Sequence, residues 1–205
     1  MNSFDVIHAF LIDLKHASPL EYLAVISGVV SVWLSKKESI WVYPTGLLNT
    51  SIYVYLSVCG SLFGEATVNL YYTIMSIYGW WLWNKKDLKQ NAILKISYSS
   101  LAEKKMQLLF FATCYLIIFV ALTFLKNNFA KDTIPFADAF ASAAAFTAMY
   151  LMTKKKIENW QWWILTNIAS IPLYYIKNYV LTSVYYFILL VIAIAGWAEW
   201  RKKII

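Results

Sequence analysis

Apolar and polar positions separate along this chain into long apolar stretches joined by shorter polar segments. A stretch of about 20 mostly apolar residues can cross the hydrocarbon core of a bilayer as an α-helix. The pattern therefore predicts seven transmembrane helices, at approximately the following positions: 20–35, 40–58, 65–83, 107–125, 135–153, 158–176 and 181–200. Only the connection at 84–106 is long, and its lysines predict a solvated loop. The other connections are short, so successive helices are expected to be antiparallel neighbours.

The N-terminal segment has a different pattern. Asp5, His8 and Asp13 interrupt its apolar positions, and no basic segment precedes them, so a signal peptide is not predicted. The remaining apolar residues fall on one helical face. Residues 1–19 are therefore interpreted as a short interfacial helix.

Composition strengthens the membrane interpretation. Of the 205 residues, 60% are hydrophobic and 14% are charged, whereas soluble domains are roughly 45–50% apolar and about 25% charged. The net charge of +7 would suit a nucleic-acid partner, but the basic residues form short clusters between apolar stretches, as topology signals do. No nucleic acid is therefore predicted. The sequence contains no CxxC motif or Cys/His cluster, so no metal site is predicted.

The distribution of basic residues predicts the orientation. Fourteen of the 18 Lys and Arg residues lie in the segments that follow the first, third, fifth and seventh predicted helices. Cytoplasmic segments of multi-pass membrane proteins carry an excess of Lys and Arg. The chain is therefore expected in the bacterial inner membrane, with its N-terminus outside and its C-terminus in the cytoplasm.

Parts of the first half recur in the second half, which indicates an internal duplication. One deletion between the second and third helices reconciles the two offsets involved. The recurring positions are Lys36-Lys37 with Lys154-Lys155 and Asn49 with Asn167, both at 118 residues, and Gly79-Trp80 with Gly196-Trp197, at 117. The duplication predicts three-helix repeats at 20–86 and 135–205. Residues 87–134 join them and contain the Lys-rich cytoplasmic loop, the fourth helix and an external loop.

A single linking helix puts both repeats into the membrane in the same sense. The predicted fold is an all-α membrane protein of two parallel three-helix repeats and a linker helix, a 3+1+3 layout similar to that of the SWEET transporters. Two like halves that rock against each other provide alternating access, which favours a transporter over a membrane enzyme. No His lies in any predicted span, and neither an enzyme activity nor a cofactor is predicted.

The sixth predicted helix carries the most informative side chains. Trp160, Trp163 and Asn167 are spaced i, i+3, i+7 and so share one face. Two indoles and an amide on one face can stack on a flat ring and hydrogen-bond its edge. The alternative is that the tryptophans belong to an interfacial belt and that Asn167 holds helices together. Asn49 would face the same requirement for a buried partner in the other repeat.

At these residues the sequence resembles the PnuC-type vitamin transporters, whose best-known members import nicotinamide riboside. The resemblance covers essentially the whole chain and includes the 3+1+3 layout. The matching residues are the WxxWxxxN motif at Trp160, Trp163 and Asn167, its Glu158-Asn159 lead-in, the Ile77-Tyr78-Gly79-Trp80 ending of the third helix, and Gly196-Trp197.

The resemblance implies a facilitator that binds a vitamin between the two halves, close to Trp160, Trp163 and Asn167. It also implies that a cytoplasmic vitamin kinase makes uptake one-way by phosphorylation. The sequence independently favours an uncoupled mechanism, because it has no phosphate-binding loop and almost no acidic residue in mid-membrane. Glu65 and Glu158 lie at helix ends and are interpreted as solvated or interfacial.

The expected ligand is a flat aromatic cation, because a Trp-rich pocket attracts such rings by cation–π contact. Nicotinamide riboside fits, but thiamine, riboflavin and a sugar remain alternatives. Asn69 stands where the nicotinamide-riboside pattern leads us to expect Gln, and Ala137 where we expect Trp. Asp138, one turn into the fifth helix, is either a ligand or a partner of the helix dipole. We count Asn49, Asn69 and Asp138 with the helix 6 residues as the candidate substrate site; the sequence leaves a homo-oligomer open.

Overall fold

A computed structural model describes residues 18–60, 63–87, 91–126 and 133–204, so the predicted interfacial helix at the N-terminus lies largely outside the described residues. Within them, the chain forms seven α-helices in the predicted order. Their bounds are α1 Pro19–Lys36, α2 Val42–Cys59, α3 Phe63–Trp83, α4 Leu101–Leu125, α5 Pro135–Thr153, α6 Asn159–Ile176 and α7 Val180–Ile204.

Three of these helices, α4, α5 and α7, are both long and apolar enough to cross a membrane. The other four are 18 to 21 residues long but carry more polar residues. Several of those polar side chains are buried inside the bundle, such as Ser27, Thr50 and Asn167. Polar side chains that face other helices lower the mean hydropathy of a helix, but the outer surface of that helix stays apolar.

The first turn of α4 differs from the prediction. The helix begins at Leu101, six residues before the predicted start at 107, because Ser100 and Glu103 form a capping box. In this motif the Ser side chain accepts a bond from the Glu103 backbone, and the Glu side chain accepts one from the Ser100 backbone. The interpretation of all of 84–106 as a solvated loop is therefore wrong.

The helices pack mostly as sequential neighbours. α1 packs against α2, α2 against α3, α5 against α6, and α6 against α7, while α4 packs on α5. Two further contacts join the first three helices to the last three, because α1 packs against α7 and α3 against α5. Small buried side chains such as Ala139, Ala143 and Ala144 let neighbouring helices approach α5 closely.

The connections after α1 and after α5 have the same backbone geometry. Each places one residue with a positive φ just beyond the helix, Glu38 at 60° and Lys155 at 51°. The Glu38 N–H donates to Ser35 O, and the Lys155 N–H donates to Met152 O in the same way. Lys155 follows Glu38 by 117 residues, and Met152 follows Ser35 by the same number.

The predicted offset of 118 in this region is therefore wrong by one residue. At an offset of 117, the bounds of α2 coincide with those of α6 at both ends. Asn167 then corresponds to Thr50, and Asn49 to Thr166. The two asparagines occupy neighbouring rather than equivalent positions.

Candidate functional site

Trp160 lies in the core at one end of the bundle, where the α1–α2, α3–α4 and α5–α6 connections meet. We call this the Lys-rich end and the other the outer end. Trp160 is 1% exposed, and its ring meets that of Trp200 edge to face at 5.5 Å. A Cβ on Gly196 would lie 2.5 Å from the Trp160 ring. The indole therefore fills a helix–helix contact, which favours a packing role for it.

The first half of the chain repeats this arrangement. Tyr43 meets Trp83 edge to face at 5.1 Å, and a Cβ on Gly79 would lie 2.5 Å from Tyr43 Cζ. The counterparts of Tyr43, Gly79 and Trp83, 117 positions later, are Trp160, Gly196 and Trp200. The glycines are required in both halves because an aromatic ring occupies the space of a side chain.

Trp163 and Asn167 lie further along α6, towards the middle of the bundle. Trp163 is half-buried and its ring centroid is 6.3 Å from that of Tyr72 on α3. Asn167 is 2% exposed, and its Oδ1 has no hydrogen-bond partner among the described residues. A buried amide oxygen without a partner costs about 1–3 kcal/mol, which keeps Asn167 a candidate substrate residue.

Aromatic side chains from α3 and α5 adjoin Trp163, and sequence reasoning did not single them out. Tyr72 meets Phe146 edge to face at 6.1 Å, while Tyr71 stacks on the same ring at 4.2 Å. The Tyr71 hydroxyl donates to Phe146 O at 3.0 Å. The Tyr-Tyr pair lay within a predicted span, but only the packing of α3 on α5 brings it to Trp163.

The other two predicted asparagines bond to backbone. Asn49 Nδ2 donates to Ala24 O on α1 at 2.7 Å, close to Gly28, whose hypothetical Cβ would lie 2.7 Å from both Asn49 Nδ2 and Tyr185 Oη. Asn69 Nδ2 donates to Glu65 O, one turn earlier in its own helix, at 3.0 Å. Neither of these two bonds uses the side-chain oxygen.

Asp138 is engaged at the outer end of the bundle. Lys177 Nζ donates to both of its carboxylate oxygens, at 2.7 and 2.8 Å, and the Ile134 N–H donates to one of them at 2.6 Å. The pair joins the start of α5 to the end of α6. This geometry favours the interpretation of Asp138 as a structural partner.

Glu158, in the motif's lead-in, is buried rather than solvated, which corrects the interpretation from sequence. It is 5% exposed and accepts bonds from the Ser99 N–H at 3.0 and 3.1 Å and from the Ser99 hydroxyl at 2.9 Å. Gln107 Nε2 donates to the same hydroxyl. Glu158 therefore fixes the segment before α4 to the start of α6.

The outer surface of the bundle carries open grooves. One groove of about 290 Å³ is lined by Gln161, Ile164, Leu165 and Trp197. Its lining is almost wholly apolar, as expected of a lipid-facing surface. None of the candidate substrate residues lines this groove.

The helical bundle and its apolar outer surface define an α-helical membrane protein with a polar and aromatic interior. The sequence model of the nicotinamide mononucleotide transporter family matches residues 18–202. The chain belongs to this family of membrane transporters, and the resemblance to PnuC-type transporters drawn from the sequence is confirmed.

Individual relatives give the same result. The chain is 26% identical to the nicotinamide riboside transporter PnuC of Escherichia coli, over 88% of this chain and 84% of the relative. It is 23% identical to the riboflavin/roseoflavin transporter RibM of Streptomyces davaonensis, over 94% and 89% of the two chains. The fold is similar to a crystal structure of the vitamin B3 transporter PnuC, with a TM-score of 0.74 at 20% identity, covering 100% of this chain and 93% of that one.

Proposed function

We propose that this protein imports a cationic heteroaromatic vitamin, with nicotinamide riboside as the leading candidate, by facilitated diffusion with alternating access. The observation that carries the proposal is the buried amide of Asn167, one turn from Trp163, whose oxygen has no hydrogen-bond partner among the described residues. The indole would stack on the flat ring, and the amide would accept a bond from the ligand's edge. Asn49 and Asn69 would supply further acceptor oxygens.

The transport mechanism requires two halves, and we infer the 3+1+3 arrangement with seven spans. The α1–α7 and α3–α5 contacts support it, because a twofold relation between parallel repeats exchanges one contact for the other. The recurring Tyr43–Gly79 and Trp160–Gly196 contacts support it as well. The repeats would comprise 20–86 and 135–205, with α4 as the linker on the periphery.

Bonds between the halves at the Lys-rich end support a state closed towards that side. Trp83 Nε1 donates to Thr153 O at 3.2 Å, and Trp200 Nε1 donates to Ser35 O at 3.1 Å, so each indole reaches across to the other half. The two indole centroids are 6.3 Å apart. Opening towards the Lys-rich end would break both bonds.

The positive-inside rule places the Lys-rich end in the cytoplasm of a bacterial inner-membrane protein. The vitamin would then enter from the outer end and leave where a cytoplasmic kinase can phosphorylate it. Phosphorylation would prevent the vitamin from returning through the transporter, because the site for a cationic ring would then have to accommodate a negatively charged phosphate. No energy source within the transporter is needed under this scheme.

Riboflavin is the second candidate substrate, because the relative from Streptomyces davaonensis is named for it. Thiamine shares the flat cationic ring of nicotinamide riboside. The three ligands differ in charge and size, so a binding panel separates them. The unfolding temperature of the detergent-purified protein should rise most with nicotinamide riboside. A larger rise with riboflavin or a sugar would overturn the assignment.

Uptake by proteoliposomes tests the mechanism itself. We expect the vitamin to equilibrate across the bilayer without ATP, a proton gradient or a sodium gradient. A trapped kinase with ATP inside the vesicles should convert equilibration into accumulation. Accumulation without the kinase that collapses with a protonophore would show a coupled transporter instead.

A further inference from the structure

The outer end of the bundle carries two carboxylates near helix starts, and their surroundings differ. Asp138 is neutralised by Lys177, which bonds to both of its oxygens. Glu65, near the start of α3, is exposed and forms no ion pair with another described residue. Lys177 is within electrostatic range of Glu65 as well, but its ammonium is held by Asp138.

Glu65 begins a polar and aromatic face that leads to the proposed site. Glu65, Asn69 and Tyr72 are spaced i, i+4, i+7 and therefore share one face of α3. Seven residues of α-helix extend about 10 Å along the axis. The last of the three, Tyr72, is the neighbour of Trp163, at 6.3 Å between ring centroids.

Tyrosines from both halves lie towards the same end of the bundle as the beginning of this face. Tyr53 on α2, Tyr174 on α6 and Tyr186 on α7 all lie within electrostatic range of the Glu65 carboxylate. Tyr174 and Tyr186 are stacked, with centroids 5.2 Å apart and an interplanar angle of 16°. Lys177 Nζ lies 5.8 Å from the Tyr174 centroid, so a cation already adjoins this cluster.

We propose that Glu65, with Tyr53, Tyr174 and Tyr186, forms an outer subsite that receives the positively charged ring of the vitamin before it reaches Trp163 and Asn167. The inference rests on the proposed function, since it assigns an entry step to the same substrate. A carboxylate beside aromatic faces attracts a permanent cation by charge and by cation–π contact. Because the subsite is left before the central site is occupied, it contributes to KM rather than to the maximal rate.

Replacing Glu65 by Gln tests the subsite through the charge of the substrate. Uptake is measured with nicotinamide riboside and with its reduced dihydropyridine form, which is uncharged. In Glu65→Gln we expect the KM for the cation to rise about tenfold at low ionic strength, which corresponds to the loss of one charge interaction of about 1.4 kcal/mol. The maximal rate and the KM for the uncharged form should stay within about twofold.

Salt provides a readout that a packing defect would not change. The wild-type KM for the cation should rise with ionic strength, because salt screens exposed charges. The KM of Glu65→Gln for the cation should hardly change with ionic strength. Glu199→Gln is the matched control: it removes the same charge at the Lys-rich end, where Glu199 pairs with Lys36, and should leave both KM values unchanged.

Equal changes for the charged and uncharged substrates in Glu65→Gln, or no change for either, would overturn the outer subsite. If the wild type transports neither form, the proposed substrate has failed, and thiamine then tests the subsite separately by thermal shift. Stabilisation by thiamine that Glu65→Gln abolishes supports the subsite. Equal stabilisation of both proteins, or none of the wild type, counts against it.

Discussion

At the scale of single residues, Trp163 and Asn167 have separable parts in the proposed site. Replacing Trp163 by Ala removes a stacking face, and replacing Asn167 by Ala removes the amide oxygen that no described residue bonds. Loss of one partner in a buried site costs roughly 1–3 kcal/mol. Either change should weaken vitamin binding about five- to 150-fold, measured by calorimetry in detergent.

Trp162 provides the control for this prediction. It adjoins Phe111 on α4, with ring centroids 4.9 Å apart, on a different face of α6 from Trp163. Trp162→Phe should therefore retain the packing and bind the vitamin as the wild type does. Undiminished binding in both Trp163→Ala and Asn167→Ala would mean that these side chains serve helix packing only. A loss in Asn167→Ala alone would favour edge recognition over stacking.

The sequence singled out Trp160 together with Trp163 and Asn167 and gave no basis for separating their roles. Trp160, Trp163 and Asn167 share a helical face, yet seven residues extend about 10 Å along a helix. The face therefore runs from the Lys-rich end, where Trp160 packs against Gly196, into the interior, where Trp163 adjoins Tyr72. Periodicity reports the direction of a side chain and not its depth in the bundle.

At the scale of helices, the glycine contacts decide how closely each half packs. In Gly79→Ala or Gly196→Ala the added methyl would lie 2.5 Å from Tyr43 Cζ or Trp160 Cη2, respectively, and overpacking of this kind typically costs about 1–3 kcal/mol. Both variants should unfold at lower temperature in detergent, measured by a thermal melt.

Gly46→Ala is the matched control for the glycine prediction. Its new methyl would lie 3.1 Å from the Ser31 hydroxyl, a much milder overlap than the ring contacts of Gly79 and Gly196. Ala also gains about 1 kcal/mol of helix propensity over Gly, so stability should change little. A Gly46→Ala variant as unstable as Gly79→Ala would show that the ring contacts are not the cause.

Glu38 joins the α1–α2 connection to elements of the second half. Its carboxylate accepts from Lys155 Nζ at 2.8 Å and from Lys203 Nζ at 3.1 Å. Burial raises the pKa of Glu38, but the bonds to and the charges of Lys155 and Lys203 outweigh it, and the net pKa lies below the ordinary value. A lowered pKa stabilises the fold above the ordinary value near 4.5, and this stabilisation is lost as pH falls through the lowered pKa.

Glu38→Gln should accordingly lower the free energy of unfolding at pH 7 by about 1–3 kcal/mol. The measurement is the melting temperature, which should fall. The difference from the wild type should shrink below pH 4.5 as the wild-type carboxylate becomes protonated. Glu199→Gln, which loses a more exposed pair at 3.6 Å, should cost no more than about 1 kcal/mol. A difference between Glu38→Gln and wild type that is independent of pH would exclude the charge as its source.

The helices themselves were largely predictable, and the errors have local causes. Hydropathy found all seven, but the early start of α4 depends on the capping box at Ser100 and Glu103, which precedes the apolar stretch. The offset between Asn49 and Asn167 was misread because identical residues were matched. The backbone bonds after α1 recur after α5 at an offset of 117 residues instead.

At the scale of the whole molecule, the proposed orientation rests on charges that lie at one end of the bundle. The sequence predicted this from Lys and Arg counts alone, since the bilayer imposes a rule that does not depend on packing. The proposed outer subsite, by contrast, combines Glu65 with tyrosines from α2, α6 and α7. No pattern along one helix reports which residues of another helix lie opposite.

Natural cysteines allow the orientation to be measured. Cys59, at the end of α2, is exposed at the outer end of the bundle, while Cys114 lies within α4. In a Cys114→Ala background, a membrane-impermeant maleimide should label Cys59 in spheroplasts without permeabilisation. Adding Cys59→Ser and Asn84→Cys moves the only thiol to an exposed position at the Lys-rich end, where labelling should require permeabilisation. The reverse pattern would place Glu65 on the cytoplasmic side, and the subsite built on it would then serve release rather than entry.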